Sequence, residues 1–213
     1  MIFNSLSYLL LLIIVVTLYW QLPYRPRLIL IFSSSLIFYG FWKIKFIPIL
    51  LISVIVDWWV SQKMLKSNKK KKFFLLLSSL VTNLGLLFYF KYLIFFANSS
   101  IGLANFLGIN LDPILFKIIL PLGISFYTFQ TISYTIDVYR GFIKPEKDFL
   151  LFACYVIFFP QLVAGPILRA KEVIPQFLNR SPFSISYIFI GVRFILFGLF
   201  LKVVLADNLS ILV

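Results

Sequence analysis

The sequence predicts an all-α, polytopic membrane protein. Hydrophobic residues make up 62% of the 213 residues, charged residues only 13%, and the mean hydropathy is +1.02, which is outside the usual balance of a water-soluble domain. A bilayer core about 30 Å thick is crossed by roughly 20 apolar residues in a helix, and several runs approach that length. The alternating pattern that a transmembrane barrel needs is not present. We therefore expect one transmembrane domain over residues 1–213.

Positive charge is the second feature, with a net charge of +13. The Lys and Arg residues lie in short segments between apolar runs, a distribution that orients helices and contacts anionic headgroups. The expected partner is the lipid bilayer and not nucleic acid, because no groove-reading motif accompanies the charge. Cys154 is the single cysteine, so no internal disulfide can form, and its apolar neighbours Phe152, Ala153 and Tyr155 predict an inert buried thiol. No cofactor and no metal site are predicted.

The first three spans are predicted at residues 2–22, 28–42 and 46–60. Residues 2–22 are interpreted as a retained span and not a signal peptide, because the basic residues Arg25 and Arg27 follow the apolar run and none precedes it. Lys43 and Lys45 separate the next two spans, both of which are short for a helix perpendicular to the membrane. The loop at 61–72 is the most basic stretch and is predicted to be cytoplasmic, which places the N-terminus outside.

The second half is predicted to be less regular. A span at 73–97 leads to an external loop at 98–112, which contains no Lys or Arg, and the chain returns at 114–136 to an inner loop at 137–148. Residues 150–168 are apolar but contain Pro160, Gly165 and Pro166, so they predict a broken or re-entrant segment. An interfacial stretch at 169–182 and a last span at 184–204 complete the chain.

Ionisable side chains within spans are the default functional candidates in a membrane protein. Asp57 is near the end of its predicted span, and we interpret it as an interfacial residue in contact with Lys63 or lipid. Lys91 lies between Tyr89 and Tyr92 and is expected to extend its ammonium to the outer interface.

The densest polar cluster occupies residues 121–141. If this stretch is helical, Gln130, Tyr134 and Asp137 share one face, and Arg140 follows at the end of the helix. Two interpretations remain open. The stripe lines a water-filled or substrate-lined cavity, or its hydroxyl groups join helices by interhelical hydrogen bonds.

A second cluster covers residues 159–169. Its prolines and glycine release backbone groups from helical hydrogen bonding, so this backbone is expected to line a cavity instead of contacting lipid. No catalytic residue is predicted. Together the two clusters supply the tunnel-lining candidates, which are Gln130, Tyr134, Asp137, Arg140, Gln161, Gly165, Pro166 and Arg169.

Three stretches resemble the membrane-bound O-acyltransferase family. They are Leu-Pro-Leu-Gly-Ile-Ser-Phe-Tyr-Thr-Phe-Gln at 120–130, Ser-Tyr-Thr-Ile-Asp-Val-Tyr-Arg-Gly at 133–141, and Phe-Phe-Pro-Gln-Leu-Val-Ala-Gly-Pro-Ile at 158–167. The branch they are most similar to contains alginate O-acetyltransferase and the D-alanyl transfer protein of teichoic acid. Residues 38–42 and 202–208 resemble the same branch, so the likeness extends along the whole chain.

The resemblance implies a partial ring of tilted helices around a funnel in a bacterial inner membrane. It also implies acetyl or acyl transfer to hydroxyls of an extracytoplasmic polysaccharide, with other exopolysaccharide or cell-wall modification proteins as partners; the acyl donor is left open. The family's chemistry uses a histidine as base, and this chain contains no histidine.

We therefore expect these 213 residues to be an N-terminal portion, inactive without a histidine-bearing C-terminal half. Two alternatives stay open. One is a small channel or transporter that uses the stripe from Gln130 to Asp137, and the other is a non-functional truncated product.

Overall fold

The computed structural model describes residues 3–112, 118–163 and 165–210, and these residues form helices joined by turns, with no strand among them. Three helical stretches are long and apolar enough to cross a membrane, Tyr24–Leu65, Lys69–Phe106 and Ile185–Leu209. The all-α class and the multi-pass membrane character predicted from the sequence are confirmed.

The first three helices are α1 (Leu6–Gln21), α2 (Tyr24–Lys43) and α3 (Ile47–Leu65), with a 3₁₀ turn at Ile44–Phe46 between α2 and α3. At 1.5 Å per residue, α2 and α3 are each about 30 Å long, enough to cross a bilayer core. The prediction that these spans are short is wrong. Both helices extend into polar residues at their ends. The predicted spans counted only apolar residues and therefore left these helical ends out.

The next stretch is a continuous helix of 38 residues, composed of α4 (Lys69–Leu87), a π-helical turn (Phe88–Tyr92) and α5 (Leu93–Phe106). Two loop predictions are corrected here. Lys69 to Lys72 form the first turn of α4, where the Asn68 side chain accepts a hydrogen bond from the Lys71 amide. The external loop predicted at 98–112 is helical as far as Phe106, because polar side chains such as Ser100 bond back to the helix backbone.

Helix α6 (Ile124–Arg140) packs against α3 and α4 in the centre of the bundle. It ends at Gly141, where φ is +80°, and the Gly141 and Phe142 amides donate to the Val138 and Asp137 carbonyls. The predicted span at 114–136 therefore begins too early and ends too early; its residues 114–117 lie outside the described residues.

The broken segment predicted at 150–168 is re-entrant. Helix α7 (Phe149–Ile157) runs beside α2: the Cys154 thiol donates to the Leu28 carbonyl over 3.3 Å, and the Phe159 amide donates to Ser35 Oγ over 3.1 Å. Ser35 is about 16 Å along α2 from its first residue. The chain then turns back to α8 (Ala170–Leu178). We call residues 149–163 and 165–169 the re-entrant segment.

Both ends of the re-entrant segment lie at one end of the bundle. Before it, Asp148 pairs with Arg25 at the start of α2, with 2.7 Å between Oδ2 and Nη1. After it, Arg169 pairs with Asp137 near the C-terminal end of α6, and Arg27 Nη2 donates to the Phe177 carbonyl of α8 over 2.8 Å. The segment therefore enters and leaves on the same side.

The last helix begins as α9 (Ile185–Phe200) and continues through a π-helical stretch (Leu201–Ala206) to Leu209. We call Ile185–Leu209 the terminal helix. None of its residues is buried, and it extends beyond the predicted span at 184–204. The connection before it is held to α1, where Arg180 Nη1 donates to the Trp20 carbonyl over 2.9 Å.

Candidate functional site

Glutamine side chains join the re-entrant segment to the middle of α6. Gln130 Nε2 donates to the Tyr155 carbonyl over 2.8 Å, and Gln130 Oε1 accepts from Gln161 Nε2 over 3.1 Å. Gln161 Nε2 also donates to the Pro166 carbonyl over 2.8 Å. The backbone carbonyls released by the helix break are thus partly satisfied by two amides, as a low-dielectric environment requires.

An ion pair makes the second connection, two helical turns further along α6. Arg169 Nη1 donates to both carboxylate oxygens of Asp137, over 2.9 and 3.0 Å. The Asp137 side chain is only 6% exposed, whereas that of Arg169 is 54% exposed. A guanidinium has five N–H donors, so the exposed part of Arg169 can bind a further anionic or carbonyl oxygen.

Gly123 allows the turn to approach α6 closely, and Gly165 allows the turn itself to close. Gly123, immediately before α6, has φ +68°, and a Cβ there would overlap the Leu162 carbonyl oxygen. A Cβ at Gly165 would come within 2.8 Å of the Gln161 carbonyl oxygen. The re-entrant turn therefore rests directly on the N-terminus of α6 at Gly123, and it is tightly closed at Gly165, so neither position has room for a side chain.

Asp57 lies in a buried polar cluster between α3, α4 and α6, and the prediction that it is interfacial is wrong. Its side chain is fully buried and accepts hydrogen bonds from Ser79 Oγ and from Asn83 Nδ2, which is 2.9 and 2.8 Å from the two carboxylate oxygens. Asn83 Oδ1 in turn accepts from Ser53 over 2.7 Å and from Thr131 over 3.3 Å. We call these five residues the buried polar cluster.

The sequence contains a signal for this cluster. Ser53 and Asp57 are four residues apart on α3, and Ser79 and Asn83 are four residues apart on α4, so each pair shares a helix face. The prediction considered Asp57 only in relation to the nearby Lys63 and therefore missed that pattern. The Thr131 hydroxyl of α6 donates an interhelical hydrogen bond to Asn83, as one of the two interpretations of the polar stripe proposed.

Arg27, like Asp57, is a buried charged residue, although the sequence did not indicate a role for it inside the bundle. It is 4% exposed, and its guanidinium carbon lies 5.1 Å from the Tyr19 ring centroid and 5.7 Å from that of Tyr24. Together with its bond to Phe177, it fixes α8 against α1 and α2.

The structure brings six of the eight tunnel-lining candidates into two groups. Gln130, Gln161, Gly165 and Pro166 meet at the turn, and Asp137 meets Arg169. Tyr134 faces elsewhere, because its hydroxyl accepts from the Glu146 amide over 2.9 Å. Arg140 is exposed at the end of α6 and is not brought into either group. A role for these residues in lining a tunnel stays a prediction.

A cavity of about 410 Å³ lies between α1, α2, α8 and the re-entrant turn, within the size range of small-molecule sites. Its walls are mainly apolar side chains such as Leu12, Val16 and Ile31. Gln161 and the Arg180 guanidinium lie among its polar lining residues, so one glutamine contributes both to the α6 contact and to this cavity.

Comparison with known proteins identifies relatives along the whole chain. "Probable alginate O-acetylase AlgI" of Pseudomonas aeruginosa is 33% identical over 215 residues, covering 100% of this chain and 41% of the relative. The protein of the same name in Azotobacter vinelandii is 32% identical over 214 residues, covering 99% and 42%. "Peptidoglycan O-acetyltransferase" of Helicobacter pylori is 34% identical over 219 residues, covering 89% and 40%.

No family model matches the chain, and no solved structure matches it. The chain spans about two fifths of the length of the curated relatives it matches. The names of these relatives match the branch that the motifs at 120–141 and 158–167 resemble. Over its 213 residues the chain is homologous to these O-acetyltransferases, which is consistent with the membrane-bound O-acyltransferase branch that its motifs resemble.

Proposed function

We propose that this chain forms part of an O-acyltransferase that moves an acetyl or other acyl group onto hydroxyls of an extracytoplasmic polysaccharide. The names of the relatives, an alginate O-acetylase and a peptidoglycan O-acetyltransferase, support this proposal. Because the chain spans about two fifths of their length, the activity belongs to a larger assembly than these residues.

The observation that carries the proposal is the way the re-entrant segment contacts α6. Acyl transfer to a hydroxyl develops negative charge on the carbonyl oxygen, and preorganised N–H donors stabilise that charge. The half-exposed Arg169, held in place by the buried carboxylate of Asp137, is such a donor. Gln130 and Gln161 keep the turn in position beside it. We assign the tunnel lining to this group.

The base that activates the acceptor hydroxyl is proposed to come from outside these residues, since the chain contains no histidine. A histidine-bearing C-terminal membrane half is the expected partner. Other exopolysaccharide or cell-wall modification proteins are proposed to work with the assembly. Acyl transfer by the isolated 213 residues is expected at background.

The proposed location is the bacterial inner membrane with the N-terminus outside. Three basic segments converge at one end of the bundle, which supports this orientation: Arg25 pairs with Asp148 at the 141–148 loop, and Lys72 lies 5.7 Å from the Tyr139 ring near the end of α6. The re-entrant segment would then enter from the cytoplasmic side.

A chimeric enzyme tests the proposed function. The matching part of the Pseudomonas aeruginosa relative is replaced by these 213 residues, and ester-linked acetate on alginate is measured. We expect acetylation by the chimera and about a hundredfold lower activity with Arg169→Leu, because one charge-stabilising donor is lost. Lys171→Leu, which removes an exposed cation two residues away, is the matched control.

The proposal is wrong if a chimera present in membranes at the level of the parent enzyme adds no acetate. Equal activity of the Arg169→Leu and Lys171→Leu chimeras would remove Arg169 from the site. The channel or transporter alternative has no observation in its favour, since Gln130 and Asp137 are 5% and 4% exposed and bond to protein groups.

A further inference from the structure

We propose that the terminal helix binds a second transmembrane helix that carries a carboxylate at the depth of Arg193. This interaction surface is independent of the chemistry proposed above. It rests on the position of one arginine in a helix that has no buried residue.

Arg193 is the central residue of an uninterrupted apolar stretch. From Ile185 to Leu201 it is the only charged residue, and the next cation along the helix is Lys202. At 1.5 Å per residue it lies about 12 Å from either end of that stretch. An extended arginine side chain reaches about 6 Å from its Cα, so its guanidinium cannot arrive at either interface by snorkelling.

Arg193 also has no partner within the described part of the chain. It is exposed, and it forms no hydrogen bond, ion pair or ring contact with residues 3–112, 118–163 or 165–210. Its neighbours across one helical face are Ile190, Phe194 and Phe197, which surround it with apolar surface. A charge at mid-membrane in such surroundings is found facing a protein partner or a water-filled cavity, and not lipid.

Three candidate partners of the terminal helix differ in whether they can neutralise the charge of Arg193. Lipid phosphate lies at the interface, at the wrong depth for Arg193. A second copy related by a two-fold axis along the membrane normal would place one Arg193 beside the other, and like charges repel. A helix with a single Asp or Glu at mid-depth supplies both the counter-charge and apolar packing around it, and this is the occupant to which the charge points.

Designed peptides test the proposal directly. The full 213-residue chain, carrying a fluorescent donor at its N-terminus, is reconstituted in phosphatidylcholine vesicles with acceptor-labelled leucine-alanine helices. One peptide has Glu at its central position, and matched peptides have Gln or Leu there. The central residue lies at mid-depth in either orientation of the peptide.

We expect the Glu peptide to associate about tenfold more tightly than the Leu peptide, with the Gln peptide between them. Arg193→Leu should abolish the preference, and Arg193→Lys should retain part of it. Lys202→Leu, which removes the other cation of the terminal helix, is the matched control and should leave the preference intact. Arg193→Leu makes the helix more apolar, so insertion is preserved and can be verified by protease protection.

Equal association of the Glu and Leu peptides with the wild-type chain would overturn the proposal. So would energy transfer between two labelled chains that depends on Arg193, because a second copy would then be the occupant. Loss of Glu-peptide binding on addition of phosphatidylglycerol would identify an anionic lipid headgroup as the occupant and would also overturn the proposal.

Discussion

The buried polar cluster and the terminal helix treat charge within the membrane in opposite ways. Asp57 is surrounded by hydrogen-bond donors from its own bundle, including Ser79 and both contacts from Asn83. Arg193 sits on a helix with no buried residue and has no partner in the described residues. A polar group in lipid needs a hydrogen-bond or charge partner from protein or water. Asp57 has such partners within this chain, whereas Arg193 requires one from another molecule or segment.

The largest expected loss of stability comes from a substitution in the buried polar cluster. Asn83→Leu removes both contacts of the Asn83 amide with the Asp57 carboxylate and leaves only the Ser79 hydroxyl donating to this buried charge, which should destabilise the fold by about 4 kcal/mol. The free energy of unfolding in mixed micelles measures this loss. Ser53→Ala removes one neutral hydrogen bond of the same cluster and should lose about 1 kcal/mol. Similar losses for the two variants would mean that the carboxylate does not depend on Asn83.

Apolar packing gives the next contrast. Leu50 in α3 is fully buried, and Leu50→Ala should lower the free energy of unfolding by about 3 kcal/mol through the cavity it leaves. Ile195 in the terminal helix is 42% exposed, and Ile195→Ala should lower it by less than about 0.5 kcal/mol in the isolated chain. If both variants lost the same amount under the same micelle conditions, the terminal helix would be packed in solution.

Glycine substitutions sharpen the comparison at the backbone. Gly123→Ala should destabilise by about 2 kcal/mol, because φ is +68° and the new methyl group would overlap the Leu162 carbonyl. Gly191 in the terminal helix has no atom within 4 Å of an added Cβ, so Gly191→Ala should stabilise by a few tenths of a kcal/mol through helix propensity. Thermal unfolding of the two variants side by side measures the difference. The same loss in both would contradict the close approach at Gly123.

The smallest expected effect concerns the ion pair of the candidate site. Asp137→Asn should lower stability by about 0.5 kcal/mol, since solvent screens the half-exposed Arg169. Its effect on function should be larger, because Arg169 loses the anchor that fixes its position. Acetate transfer by the chimeric enzyme, compared at equal protein level, separates the two effects. Unchanged activity together with lost stability would make the pair purely structural.

Much of the fold follows from the sequence in physical terms. Apolar runs of membrane length predict helices, and Pro160, Gly165 and Pro166 predict that the helix at 150–168 is interrupted. Boundaries are less predictable. Helix α5 passes through Ser100, one of the polar residues that suggested a loop, since its hydroxyl bonds to the helix backbone and does not end the helix.

The candidate site divides in the same way. Helical spacing places Gln130 and Asp137 on one face of α6, and chain order places Gln161 and Arg169 in the interrupted segment. Spacing does not reveal that each residue of the first pair contacts one of the second, nor that Tyr134 bonds to the 141–148 loop. Those contacts depend on the path of the chain between the elements, which local patterns do not encode.

The sequence by itself determined that this protein crosses the membrane repeatedly, and which family its motifs resemble, because burial of apolar length and short motifs are local properties. Only the tertiary structure decided that the interrupted segment is re-entrant, that Asp57 is enclosed by α3, α4 and α6, and that Arg193 is left without a partner. The physical reason is that the environment of a polar group in lipid is set by the helices packed around it, and packing joins residues far apart in the chain.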